Sequence, residues 1–68
     1  MTVVKITELV GTSSKSWEEA AQNAVKGAAK TVHNITGVEI LKATAKVEDG
    51  RITEYRSTVK IAFALTDR

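Results

Sequence analysis

The 68-residue chain has no cysteine. Disulfides and thiolate metal sites are therefore excluded. A single histidine, His33, leaves no His-rich ligand set. Aromatic residues are scarce: Trp17, Tyr55 and Phe63 are the full set. Three rings make a poor stacking platform for single-stranded nucleic acid. The net charge of +2 is small, with lysines and acids interspersed rather than blocked into patches. Nucleic acid is not an expected partner. No apolar run approaches the roughly 20 residues of a membrane span, so neither is a membrane. The opening Met1-Thr2-Val3-Val4-Lys5 does not read as a charged start followed by an apolar segment. No signal peptide is evident, and a cytoplasmic location is expected.

Catalytic constellations are also missing. Ser13, Ser14, Ser16 and Ser57 have only His33 as a candidate base, and His33 falls at a helix end, where its charge would simply suit the macrodipole. Gly11-Thr12-Ser13-Ser14 contains one glycine and no Gly-Lys-Ser/Thr follows, so it reads as a turn plus a cap rather than a phosphate loop. No catalytic residue is assigned, and the chain is not expected to be an enzyme.

What is present is secondary-structure pattern. Residues 3 to 10, rich in β-branched side chains, predict a first strand that Gly11-Thr12-Ser13-Ser14 should break. Val4, Ile6 and Val10 share one face of it; Val3, Lys5, Thr7 and Leu9 share the other. Ser16 three residues before Glu19 is a capping box. Behind it, Trp17, Ala20, Ala21, Ala24, Val25, Ala28, Ala29 and Val32 repeat at helical spacing and predict one amphipathic helix over about residues 17 to 33. Asn34 reads as its C-cap, Trp17 as a core anchor, and Gly27 as a point of close approach. Residues 38 to 47 predict a second strand, Asp49-Gly50 a hairpin turn, and Ile52 to about Thr66 a third strand, with a polar end at Asp67 and Arg68. One domain, residues 1 to 68, accounts for the whole chain.

The order β-α-β-β fixes a topology. An all-antiparallel sheet needs the third strand in the centre, giving the order 2-3-1. The fold class is α+β: a three-stranded antiparallel sheet packed on one helix. One helix covers only part of so long a sheet. The second face, assigned Leu41, Ala43, Ala45, Ala62 and Ala64, is too apolar for a monomer surface. A core of this size is also marginal. Burial of that face between subunits is expected. On the strands, Lys42, Lys46, Arg56 and Lys60 are expected to pair across the sheet with Glu39 and Glu54, with a charged lining for a pocket or channel as the alternative. Neither Glu18-Glu19 nor Glu48-Asp49 has the oxygen spacing of an EF-hand, although carboxylates repeated around a symmetry axis can collect a cation.

Glu-Leu-Val-Gly-Thr-Ser at 8 to 13, Ser-Trp-Glu-Glu-Ala-Ala at 16 to 21, Val-Glu-Asp-Gly at 47 to 50 and Tyr-Arg-Ser-Thr-Val-Lys-Ile-Ala-Phe-Ala-Leu at 55 to 65 together resemble the dodecins. The resemblance covers nearly the whole chain. It implies a hollow homododecamer of small subunits that binds flavins as a store or buffer, without catalysis; some members bind coenzyme A or inorganic cations. It also identifies three ligand positions that differ here. Gly37 stands where flavin-binding members carry the tryptophan that stacks on the isoalloxazine ring. Arg56 stands in the place of a glutamine that bonds the ring edge. Thr44 stands in the place of an arginine associated with phosphate contacts. The chain is similar to the sub-group that lacks the flavin tryptophan, some members of which are associated with calcium. The expected function is thus storage of a small ligand or cation with a degenerate flavin site. Two alternatives stay open: flavin binding in a changed pose, and a structural assembly with an empty cavity.

Overall fold

The structure is a computed structural model that describes residues 3–65. Its elements run β1 (Val4–Ser13), α1 (Trp17–Ala29), β2 (Ile35–Glu48) and β3 (Arg51–Ala64). Both neighbours of β3 pair with it antiparallel, in the order β1-β3-β2. This is the predicted 2-3-1 arrangement. The predicted end at Thr66, Asp67 and Arg68 lies outside the described residues.

The helix starts where the capping box places it. The Ser16 hydroxyl accepts the Glu19 N–H at 3.0 Å, and the Glu18 and Glu19 carboxylates sit in the positive first turn. The helix ends earlier than its apolar stripe. Lys30 is the C-cap, and the chain closes through bonds from Thr31 and Val32 N–H to the Ala28 carbonyl at 3.1 and 2.9 Å. Asn34 does not cap the helix. It takes the left-handed conformation expected of a cap, φ 62°, but at the entrance to β2. His33 is exposed outside the helix. At the hairpin, Asp49 and Gly50 have φ of 54° and 75°, the two positive values of a type I′ turn.

The core is thin. Ala21, Ala24 and Ala28 of α1 meet Val59 and Ile61 of β3, with Leu9, Val25 and Ile35 packed around them. Val59 and Ile61 are fully buried, and complete burial of one such side chain contributes about 1.5–3 kcal/mol. The helix rests on β1 and β3 and barely reaches β2. Among the described residues, eleven larger apolar side chains, including Val4, Ile6, Val10, Val47 and Ile52, remain exposed.

Further expectations need correction. First, Gly11-Thr12-Ser13 does not break β1; the strand continues through it. Gly11 is buried, and a Cβ there would overlap the Ala20 carbonyl oxygen and approach the Ala24 Cβ to 2.9 Å. The close approach of helix to strand is therefore at Gly11. It is not at Gly27, where a Cβ would meet nothing within 4 Å. Second, Trp17 is no core anchor. It is 37% exposed at the start of the helix. Third, a register shift between Ile40 and Lys42 brings Ala43 and Ala45 opposite Ser57 and Tyr55. An extra residue exchanges the faces that follow it, so these alanines share the helix side of the sheet. The apolar part of the far side is Val4, Ile6 and Val10 with Ala62 and Ala64.

Candidate ligand-binding site

The far side of the sheet can be read row by row across the three strands. Ile6, Ala62 and Gly37 form one row; Glu8, Lys60 and Glu39 the next; Val10, Thr58 and Lys42 follow; then Thr12, Arg56 and Thr44. The three positions singled out by sequence therefore share one face. Arg56 and Thr44 are directly opposite each other. Gly37 is seven residues along β2 from Thr44, roughly 20 Å at about 3.3 Å per residue. One subunit does not bring the three together. A ligand shorter than that span can touch both ends only when they come from different copies.

Gly37 presents bare backbone on this face. A Cβ built on it meets nothing within 4 Å, and Ala62, directly opposite, offers only a methyl group. Arg56 is engaged within its own strand. Its Nε and Nη2 both donate to Glu54 Oε1 at 3.2 Å. Lys46 likewise meets Glu48, at 3.4 Å. Both ion pairs link residues two apart on one strand, rather than the expected partners across the sheet. Alternate residues on a strand point the same way, and for these pairs that neighbour is the nearer one. Both pairs are exposed, and such pairs add at most about 1 kcal/mol.

Thr44 is fixed by a group that sequence reasoning overlooked. Trp17 Nε1 donates to the Thr44 carbonyl at 2.7 Å. The same indole meets Tyr55 edge-on, with ring centroids 4.9 Å apart and planes at 83°. Behind it the buried Ser57 hydroxyl donates to the Trp17 carbonyl at 2.8 Å. Helix start, β2 and β3 are thus clasped at one point. A trace of this was in the sequence: Ser57 is the polar member of the run Tyr55, Ser57, Val59, Ile61, Phe63, whose side chains otherwise face the helix.

Two hollows adjoin the sheet, the second of them taking in Thr12, Lys46 and Glu54 of that face. An open groove of about 650 Å³ runs between β1 and α1, over Leu9, Gly11, Ala24, Gly27 and Ala28. A smaller polar hollow of about 410 Å³ lies between the end of β1 and the hairpin stem, lined by Ser13, Ser14, Lys46, Glu48 and Glu54 among others. The Ser13 hydroxyl there accepts the Lys15 and Ser16 N–H groups at 2.9 and 3.3 Å, so the turn begins only after Ser13, at the end of the strand. Among the described residues no three Asp, Glu, His or Cys side chains converge as a metal cage would require.

The Dodecin family model matches residues 3–66. Calcium dodecin of Mycobacterium tuberculosis is 35% identical over 66 residues, spanning 96% of this chain and 92% of that protein. Among solved structures, dodecin from Streptomyces davaonensis superposes with a TM-score of 0.91 at 29% identity, covering 97% of each chain. The crystal structure of the calcium-chelating antigen calcium dodecin of M. tuberculosis, described as having a novel calcium-binding site, superposes with a TM-score of 0.81 at 32% identity, covering 94% of this chain and 91% of that one. With β-α-β-β order, strand arrangement and nearly the whole sequence in agreement, the chain belongs to the dodecin family.

Proposed function

We propose that this chain forms a homododecamer that binds and stores a small ligand or cation without chemistry, and that its flavin site is degenerate. The observation that carries the reading is Gly37. At the position that the resemblance gives to the stacking tryptophan, the subunit offers bare backbone beside a methyl group. Loss of one aromatic stack is worth about 1–3 kcal/mol, a roughly 5- to 150-fold weaker dissociation constant. Arg56 adds to this. Its guanidinium donates but cannot accept, and it is already held by Glu54. The storage role, rather than an enzymatic one, is supported by the sequence, which provides no nucleophile with an adjacent base. A soluble store of this kind would act in the cytoplasm.

The test is a titration of riboflavin or FMN against the assembled protein, followed by quenching of flavin fluorescence. The expected outcome is weak, non-stoichiometric quenching; tight stoichiometric quenching contradicts the proposal. A calcium store is a second, narrower reading, favoured by the similarity to a calcium dodecin. Calorimetric titration of calcium into chelator-treated protein checks it, and absence of a saturable heat removes it.

A further inference from the structure

The two free edges of the sheet differ. β2 forms one of them. Its register with β3 shifts three times, at Ile35/Gly37, Ile40/Lys42 and Lys46/Val47, and it carries Lys42 and Lys46. Bulges and lysines are the means by which edge strands resist pairing with another chain. β1 forms the other edge; it has neither bulge nor proline, and its one lysine, Lys5, falls on the helix-facing side. Its ten residues run against β3 without a register shift, and no proline occurs anywhere in the chain.

The direction of the β1 backbone groups follows from one bond. Leu65 N–H donates to the Val3 carbonyl at 2.8 Å. In an unbroken antiparallel ladder, alternate residues then turn both N–H and C=O toward the partner strand. The odd-numbered residues of β1 face β3, and Val4, Ile6, Glu8, Val10 and Thr12 direct theirs to the open edge. The Asn23 side chain confirms the sense by donating to the Thr12 carbonyl at 2.9 Å. The helix thus covers the Thr12 end. The segment from Val4 to Val10 is left with outward backbone groups, flanked by Val4, Ile6 and Val10 side chains that are each about half exposed.

We infer that the Val4–Val10 edge of β1 is a pairing edge, and that it takes β1 of a second copy of this chain, antiparallel, so that one sheet crosses the subunit boundary. Three arguments select that occupant. A contact of β1 with β1 uses the same surface on both partners and is satisfied within one pair of subunits, so neither copy is left with an open β1 edge. The irregular β2 edge is also a poor match for a straight one. Finally, the alternation is self-complementary. Pairing Val4 with Val10 and Ile6 with Glu8 keeps the apolar side chains of both strands on one face and keeps the two Glu8 carboxylates from lying directly opposite, where like charges repel. The inference rests on the oligomeric reading above but is separable from it.

Amide hydrogen exchange on the native assembly, read residue by residue, tests it. The Ile6, Glu8 and Val10 amides should exchange within about tenfold of the Thr7 and Leu9 amides, which are bonded inside the subunit. Exchange of those three that is faster by roughly a hundredfold or more, in protein that keeps its assembled mass, overturns the inference and leaves the oligomer standing. A monomer overturns both. A pair of variants gives a second readout. Glu8→Ala keeps the outward N–H and should keep the assembled mass; Glu8→Pro removes that one donor, spares the bonds to β3, and should lower the mass. A Glu8→Pro protein with unchanged mass also overturns the inference. Should that variant fail to fold, the exchange pattern of the natural protein still decides.

Discussion

Two glycines, 16 residues apart, show how little a residue type says without its surroundings. Gly11 sits under the helix, where a methyl group would collide with the Ala20 carbonyl and the Ala24 side chain. Gly27 sits on the helix with open space beside it. Gly11→Ala should therefore destabilise by about 1–3 kcal/mol or more through overpacking. Gly27→Ala should stabilise by roughly 0.5–1 kcal/mol, since alanine loses less freedom in a helix. Denaturant titration of the two variants checks both signs. In the sequence Gly27, lying beside the alanine stripe, looked the better candidate for close approach. The requirement at Gly11 comes from the partner element, which no local pattern reveals. Gly37 offers a third test. Its Cβ would meet nothing within the subunit, so Gly37→Trp should fold and gain a stacking surface. Flavin affinity, measured by fluorescence quenching, should rise roughly 5- to 150-fold; no gain would show that the missing ring is not what weakens the site.

Among the elements, β3 carries the fold. It is the central strand, and its Val59 and Ile61 are the largest apolar side chains buried completely. Ile61→Ala should cost about 2–5 kcal/mol. Ile6→Ala, on the uncovered face of β1 and half exposed in the subunit, should leave the subunit fold nearly unchanged and weaken the assembly instead. Circular dichroism during denaturation, together with sedimentation, separates the two effects. Element type and order were legible in the sequence because each signal was local: the Ser16–Glu19 capping box, the alanine stripe, Asp49-Gly50 between alternating runs. Element ends were not. Gly11-Thr12-Ser13 has the composition of a turn, yet pairing with Tyr55, Arg56 and Ser57 keeps it extended. The stripe reaches Val32, yet the helix stops at Ala29 and the chain leaves through Asn34 to begin β2 at Ile35, three residues earlier than periodicity alone suggested. The bulge at Ile40/Lys42, which moved Ala43 and Ala45 to the other face, leaves no mark in composition.

At the scale of the molecule, the subunit is long and thin, 52 × 19 × 13 Å. Its radius of gyration is 13.8 Å, against roughly 11 Å for a compact domain of this length. Such a shape with half-exposed valines and isoleucines on both ends of the sheet is that of a part rather than a whole. The need for partners was readable from the small core and the over-long strands. The site was less so. Gly37, Thr44 and Arg56 could be picked out by resemblance, but their distribution over roughly 20 Å of one face is a property of register, and only the paired strands reveal it. The clasp of Trp17, Tyr55, Ser57 and Thr44 was hidden for the same reason, since it joins three elements.

The central claim, an assembled store with an impaired flavin site, is tested most directly by native mass spectrometry of the protein as purified. Twelve copies of the 7.3 kDa chain should appear together at about 88 kDa, with no flavin mass attached. A species at 7.3 kDa, or a dodecamer carrying stoichiometric flavin, would contradict the account.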